Sequence, residues 1–305
     1  MNLVVLLKQT FDTEEKIELV NGAVAEDSVK FIINPYDEYA LEEVLRLREI
    51  HGGTVTAVSC GPERAAEALR TALAMGADDA VLLDAAGLPD DGHAVASALA
   101  AVVQQLQPDL VLAGLFAIDS GAGSVALQIA ERLGLPSASA AVKVELCSAN
   151  SVGGARGTAS AAGRPAGGDG AESVAGGAGS TAGGTAASAA SWVSSMADHL
   201  VRVERDTEWG LETVEVPLPA LITAQQGLNE PRYPSLPGIM KAKRKPLRRI
   251  AIAELGLAAV DLEPRTERLA LTAPPARSAG RKLSGTPAEQ AAALADLLQH
   301  EAKIF

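Results

Sequence analysis

The chain has 305 residues, 48% of them hydrophobic, and a formal net charge of -12. That length supplies ample material for a buried core, while the acidic balance creates a long-range field that repels phosphate backbones and anionic membrane surfaces. A general nucleic-acid binder is excluded on charge. Cys60 and Cys147 are too few for a disulfide framework, and His51, His93, His199 and His300 show no metal-ligand spacing. The opening "MNLVVLLKQTFDTEEK" has no basic stretch before its apolar run and no small-residue cleavage site, and no apolar segment reaches membrane-spanning length. These features predict a reduced, metal-free, cytoplasmic protein without stable membrane insertion.

Four short apolar runs recur along the first part of the chain: "LVVLL" (3–7), "TVTAVSC" (54–60), "AVLL" (80–83) and "DLVLAGL" (109–115). Each has the composition of a strand buried on both faces. Between them, residues 36–50, 62–76 and 92–107 repeat apolar residues at helical spacing. The alternation predicts an α/β fold, a parallel sheet covered by helices. At the start of the first helix Asn34 is the expected cap, Pro35 suits the first position, and Asp37 adds charge favourable to the helix dipole. Glu42 and Glu43 read as a solvated helix face.

Residues 148–191 are almost entirely Gly, Ala, Ser and Thr, without hydrophobic periodicity, and cannot bury enough apolar surface to offset their ordering entropy. The stretch reads as a flexible surface loop between two strands of a hairpin, "SAAVKVEL" (139–146) and "LVRVERD" (200–206). A third strand is expected over 212–224, after Trp209, which reads as a cover for the hairpin, and Gly210. Residues 227–249, "GLNEPRYPSLPGIMKAKRKPLRR", combine a proline-rich stretch, an apolar tip at Leu236 and a run of basic residues. Tyr233 reads as packing this loop on the sheet. The chain closes with a helical pattern over 287–305, whose few core residues suit packing on another subunit or docking on its own domain.

The segment after the fourth apolar run, "AIDSGAGSVALQIAERLG", places Gly121, Gly123 and Ala126 in a G-x-G-x-x-A spacing between strand and helix. Glycines there let backbone N–H groups approach a phosphate at a helix N-terminus, although a tight strand-to-helix turn requires glycine on steric grounds as well. Two further strand ends, "INPYDE" and "SCGP", fall at the same edge of an open parallel sheet, and the three loops together outline an adenine-nucleotide pocket. Cys60 reads as a small apolar strand-end residue and Asp119 as a turn former. The sequence carries no Walker A motif, nucleophile elbow or metal cluster, which disfavours an enzyme acting on nucleotides.

Several strings carry a resemblance to one family: "KQTFDTEEKI", "FIINPYDEYALEE", "VSCGPERAAEALRTALAMGADDAVLL", "DLVLAGLFAID", "VERDTEWGLETVEVPLPALITA" and, most specifically, "GLNEPRYPSLPGIMKAKRK". They resemble the beta subunit of electron transfer flavoproteins from the N-terminus through Arg249, apart from the Gly/Ala/Ser insertion, with a weaker match beyond. The resemblance implies a Rossmann-like sheet of the adenine nucleotide α-hydrolase type over residues 1–250, a β-hairpin extension, and a C-terminal arm (251–305) packing on an alpha subunit. It implies a heterodimer whose alpha subunit holds the redox FAD. That heterodimer carries electrons from flavin dehydrogenases, often the acyl-CoA dehydrogenases of fatty acid β-oxidation, to a quinone oxidoreductase or other acceptor.

By motif position the resemblance assigns a structural AMP to Leu6, Asn34, Pro35, Tyr36, Asp37, Cys60, Gly114, Asp119, Gly121, Gly123, Ser124 and Val125. It sets Asp206 facing the alpha-subunit flavin. In the loop 229–239 it assigns partner binding to Asn229, Arg232, Tyr233, Leu236, Pro237 and Ile239, with Leu236 as the apolar anchor for flavin dehydrogenases. Gly121, Ser124 and Ala126 stand where the family pattern has an acid, a glutamine and a glycine, and Leu6 replaces a small residue. Lost polar contacts of this kind are worth about 0.5–1.5 kcal/mol each, so weaker AMP binding is expected. Two other readings stay open: an electron-bifurcating subunit with a second FAD, and a free-standing adenine-nucleotide-binding regulator.

Overall fold

Successive side chains of the first apolar run, β1 (Asn2–Leu7), enter two different cores. Leu3, Val5 and Leu7 join one cluster, while Val4 and Leu6 join the other. Alternation with both faces buried requires a central strand covered by helices on each side. The computed structural model describes residues 1–12, 14, 17–148, 199–273, 275 and 280–304.

Two short strands, β2 (Gln9–Phe11) and β5 (Phe31–Ile33), pair antiparallel, and between them β3 (Leu19–Val20) pairs with β4 (Ala23–Val24). The chain then alternates α1 (Pro35–His51), β6 (Thr54–Gly61), α2 (Ala66–Met75), β7 (Asp79–Asp84), α3 (Gly92–Leu106), β8 (Leu110–Gly114) and α4 (Val125–Leu133). Next come β9 (Ser137–Ser148), β10 (His199–Thr207), β11 (Gly210–Pro217) and β12 (Ala220–Ala224). A short helix α5 (Leu236–Ala242) and the strand β13 (Leu247–Ala251) follow.

Among the described residues nine strands form one sheet, in the order β11-β10-β9-β12-β8-β1-β6-β7-β13. All neighbours from β9 to β13 run parallel, and β10 and β11 add antiparallel at one end. Residues of α1 and α2 share one core with Leu3 and Val5, and residues of α3 and α4 share the other with Val4 and Leu6. Leu41 and Leu45 of α1 and Leu69 and Leu73 of α2 are fully buried. Each such side chain contributes about 1.5–3 kcal/mol relative to exposure, which is what holds these helices on the sheet.

The observed elements differ from the sequence expectation in four places. Asn34 stands at the N-cap of α1 but makes no side-chain capping bond, because its amide is engaged across the sheet edge with residues 116 and 118. Glu42 and Glu43 are 5% and 4% exposed rather than solvated. The strand expected over 212–224 is two strands, since Pro217 and Pro219 cannot donate ladder bonds, and the chain crosses between them from the antiparallel end to a place between β8 and β9. The basic stretch supplies α5 and the edge strand β13, which pairs with β7. From residue 149 on, the expected surface loop lies outside the described residues.

Contacts divide the chain into two units, Met1–Ile17 with Ala25–Leu269, and Glu18–Val24 with Ala270–Phe305. In the first, residues beyond β13 turn back onto α3, where the Asp91 carboxylate accepts both the Thr266 N–H and its hydroxyl. In the second, α6 (Pro287–His300) is opened by a capping box between Thr286 and Glu289, and none of its residues is buried. No helix among the described residues is long and apolar enough to cross a membrane.

Candidate functional site

β1 lies between β6 and β8, and the helices that follow these strands lie on opposite faces of the sheet. The strand order therefore reverses at β1, and the carboxyl ends of β1 and β8 lie at the switch-point crevice where open α/β sheets hold ligands. Asp37, in the first turn of α1, is buried there. Its Oδ2 accepts the Lys8 N–H at 2.6 Å just past β1, and its Oδ1 accepts the Gly114 N–H at 3.0 Å at the end of β8. Burial pushes its carboxyl up to about 7, against the opposing pull of the Lys8 N–H, the Asn34 side chain and the Gly114 N–H. Gly114 has to be glycine, because an added Cβ would strike Asp37 Oδ1 and lie 2.7 Å from Tyr36 Cβ.

Asn34 organises the loop after β8. Its Nδ2 donates to the Phe116 carbonyl at 3.0 Å, and its Oδ1 accepts the Ile118 N–H at 3.1 Å. The rings of Tyr36 and Phe116 pack with centroids 4.2 Å apart. Asp119 is drawn to Lys8, whose Nζ donates to Oδ1 at 2.7 Å. Asn34, Tyr36, Asp37, Gly114 and Asp119 are thus brought together, with Pro35 opening α1 beside them. Phe116, inside the 114–125 stretch that the resemblance assigns, and Lys8, which sequence reasoning missed, complete the cluster. A lysine directly after a buried strand, opposite an acid at another strand end, is the signal that could have found Lys8.

Leu6 and Cys60 face the other core with Ala113, Val125 and Ala126 and form an apolar floor beside the start of α4. Burial pushes the Cys60 thiol up to about 12, with the Asp84 charge adding to it, which disfavours the nucleophilic thiolate. Gly121 has φ +67° with open space where a side chain would start, whereas Gly123 abuts the Leu115 carbonyl, 3.0 Å from where a Cβ would stand. The glycines have a steric reason, and they also leave the first N–H groups of α4 at the crevice edge. Asp206 is not part of this cluster. It lies on β10, paired with Leu211 next to the turn that holds Trp209. Trp209 is 97% exposed and covers nothing.

A second feature is an apolar ridge at 233–240. Tyr233, Leu236 and Met240 are 94%, 79% and 73% exposed, with Ile239 beside them. Tyr233 therefore does not pack on the sheet. Asn229 and Arg232 turn inward, onto the α1 stripe formed by Tyr39, Glu42, Glu43 and Glu49. Asn229 Nδ2 donates to the Tyr39 carbonyl and to Glu43 Oε2, both at 3.0 Å. Arg232 grips both oxygens of Glu42 at 2.9 Å and also reaches Glu49. On the far side, Ser235 caps α5, whose second residue is Pro237, and Gly238 sits so close to the Ala74 carbonyl that a Cβ would overlap it. Arg70 donates to the carbonyls of Ala242 and Lys245, and Lys245 Nζ donates to those of Leu73 and Ala77 at the end of α2. Lys245 is thus a structural cap on α2, and Arg249 pairs with Glu63.

Residues 21–156 and 161–255 match the family described as "Electron transfer flavoprotein domain". The chain belongs to the electron transfer flavoprotein family. It is 42% identical to the electron transfer flavoprotein subunit beta of Bacillus subtilis, over all of both chains. The subunit of the same name from Syntrophomonas wolfei is 36% identical over all of this chain and 99% of its own, and that of Mus musculus is 32% identical over 94% of each. At the crevice edge the Gly121 N–H is already given to the Ala117 carbonyl at 2.8 Å, which leaves Gly123 and the start of α4 to meet an anion. The polar side chains Asn34, Asp37 and Asp119 already have partners within the chain, and Leu6, 7% exposed, fills the floor. A nucleotide bound here would be held mainly by backbone groups.

Proposed function

We propose that this chain is the beta subunit of a heterodimeric electron carrier and performs no chemistry of its own. The single observation that carries the reading is the ridge at Tyr233, Leu236, Ile239 and Met240: four apolar side chains held out in solvent by a loop that Asn229 and Arg232 tie down onto α1. A monomer gains nothing from this arrangement, whereas a surface that meets redox partners does. In this reading the ridge docks flavin dehydrogenases such as acyl-CoA dehydrogenases, and the electrons pass on to a quinone oxidoreductase or another acceptor. The C-terminal arm (251–305) packs on the alpha subunit through its part beyond Ala270, where α6 has no buried residue.

The redox FAD resides mainly in the alpha subunit, with Asp206 on the hairpin turned toward it. A structural AMP occupies the β1–β8 crevice, with its phosphate at Gly123, Ser124 and Val125 and its base against Leu6 and Cys60. What FAD supplies when bound is a store for one or two electrons; this chain contributes the docking surface and the support. The filled floor at Leu6 and the partnered polar side chains argue against a second, larger FAD in the crevice. Size exclusion of the chain with and without a co-expressed alpha subunit, followed by denaturation and a count of released cofactors, tests the reading. One FAD per heterodimer, with AMP weakly retained, is expected. A stable colourless monomer that ignores the alpha subunit favours a free-standing adenylate-binding regulator, and two FAD per heterodimer favours a bifurcating subunit.

A further inference from the structure

Arg232 is bound to α1 through both its main chain and its side chain. Its backbone N–H donates to Glu42 Oε2 at 3.0 Å, its Nε to the same oxygen at 2.9 Å, and its Nη2 to Glu42 Oε1 at 2.9 Å. The Glu42 side chain is 6% exposed against 34% for Arg232, so the carboxylate is the buried reference point and the arginine reaches down to it. Asn229 adds a second tie three residues earlier, to Glu43 and to the Tyr39 carbonyl. Burying two carboxylates under a surface loop is costly, and a pair of apolar residues of similar volume would commonly serve stability as well or better. What the charged pair adds over an apolar contact is direction, because a bidentate guanidinium fixes both distance and plane.

The consequence reaches Leu236 along a short, stiff path. Between Arg232 and the Ser235 cap stand only Tyr233 and Pro234, and Pro231 precedes Arg232. Beyond Leu236 the backbone is fixed again by the contact of Gly238 with the Ala74 carbonyl. Leu236 is therefore suspended between an anchor on α1 and an anchor on α2. Glu49 also pairs with Arg232, but it is half exposed and does not hold the Arg232 N–H, so loss of the Glu42 carboxylate leaves the approach to Leu236 less fixed. We propose that Glu42 is a positioning residue for partner docking: its carboxylate orients Arg232 and, through Arg232, sets the aim of Leu236 toward the donor dehydrogenase. This rests on the docking reading given above.

The test uses the heterodimer co-purified with its alpha subunit, and an acyl-CoA dehydrogenase as donor, with the heterodimer as the varied electron acceptor. Glu42→Gln is expected to raise the KM for the heterodimer about five- to tenfold while kcat stays within about twofold, the pattern of lost binding rather than lost chemistry. FAD content and heterodimer size should match wild type. Arg232→Lys, which keeps the charge but not the fork, should fall between the two, and Arg232→Met should equal or exceed Glu42→Gln. Because the effect acts through Leu236, adding Glu42→Gln to Leu236→Glu should raise KM no further.

A wild-type KM in Glu42→Gln, or effects that multiply in the double variant, overturns the positioning role. Should Glu42→Gln fail to assemble, Arg232→Lys decides by the same split. An unchanged KM in Leu236→Glu overturns the docking reading itself, whereas a raised KM there beside an unchanged one in Glu42→Gln overturns only the role of Glu42.

Discussion

Asp37 ties together two strands that are far apart in sequence, with one carboxylate oxygen on the Lys8 N–H and the other on the Gly114 N–H. The bond pair closes the carboxyl ends of β1 and β8 at the point where the strand order reverses. It also places the first turn of α1 at that edge, with Asn34 and Tyr36 directed at the loop that leads to α4.

The titration of Asp37 follows from this burial. Its folded value, about 7, lies above the ordinary 3.8, so the native state holds a proton that the unfolded chain has released. The associated stability is fully present below 3.8 and is lost as pH rises through about 7. Asp37→Asn cannot titrate and leaves one backbone N–H facing an amide, at a cost of about 1–3 kcal/mol. Urea unfolding of both forms at about pH 5 and about pH 8 should show wild type losing stability relative to Asp37→Asn as pH rises. A constant or widening advantage of wild type would show that Asp37 is ionised throughout.

Gly114→Ala should be among the more damaging single-methyl changes in the chain. The new Cβ meets Asp37 and Tyr36, which are backbone-anchored in α1 and cannot rotate aside. An overpacked site of this kind costs about 1–3 kcal/mol, read as a lowered urea midpoint with an unchanged slope. The same change at Gly121, which has open space but φ +67°, should cost about 1 kcal/mol from backbone strain alone.

Leu6→Ala tests how the crevice floor is filled. Leu6 belongs to the core shared with Val58, Val111 and Ala113, so truncation should destabilise by about 2–5 kcal/mol. If Leu6 narrows an adenylate site, saturating AMP should raise the melting temperature of the variant by more than that of wild type. An equal shift in the two would place the base elsewhere.

Gly238→Ala should push α5 off the Ala74 carbonyl and displace Leu236 from the opposite anchor to Arg232. The expected result is a raised KM for the donor pair, with intact FAD content and heterodimer size. Unaltered donor kinetics would mean that the α2 contact does not hold the ridge.

Much of the fold was legible in the sequence because the parallel strands are buried on both faces and therefore read as unbroken apolar runs. β1, β6, β7 and β8 fall within a residue or two of "LVVLL", "TVTAVSC", "AVLL" and "DLVLAGL". What the local pattern concealed depends on contacts distant along the chain. Glu42 and Glu43 look like a solvated face until Asn229 and Arg232, 186 and 190 residues away, cover them. Asn34 has every local mark of a helix cap, yet its amide is better satisfied by Phe116 and Ile118 across the crevice. β13 was hidden because its exposed arginines, Arg248 and Arg249, mask the alternation of Leu247 and Ile250 into the two cores. In the basic segment, the roles of Lys245 as a cap on α2 and of Arg249 as the partner of Glu63 likewise depend on residues about 170 and 186 positions away.

The most direct test of the central claim is anaerobic mixing of the purified heterodimer with a substrate-reduced acyl-CoA dehydrogenase, followed through flavin absorbance. The oxidised flavin of the heterodimer should be bleached by the dehydrogenase, and Leu236→Glu should slow this at limiting concentration without changing the final extent. A heterodimer whose flavin stays oxidised beside every reduced flavin dehydrogenase offered would contradict that claim.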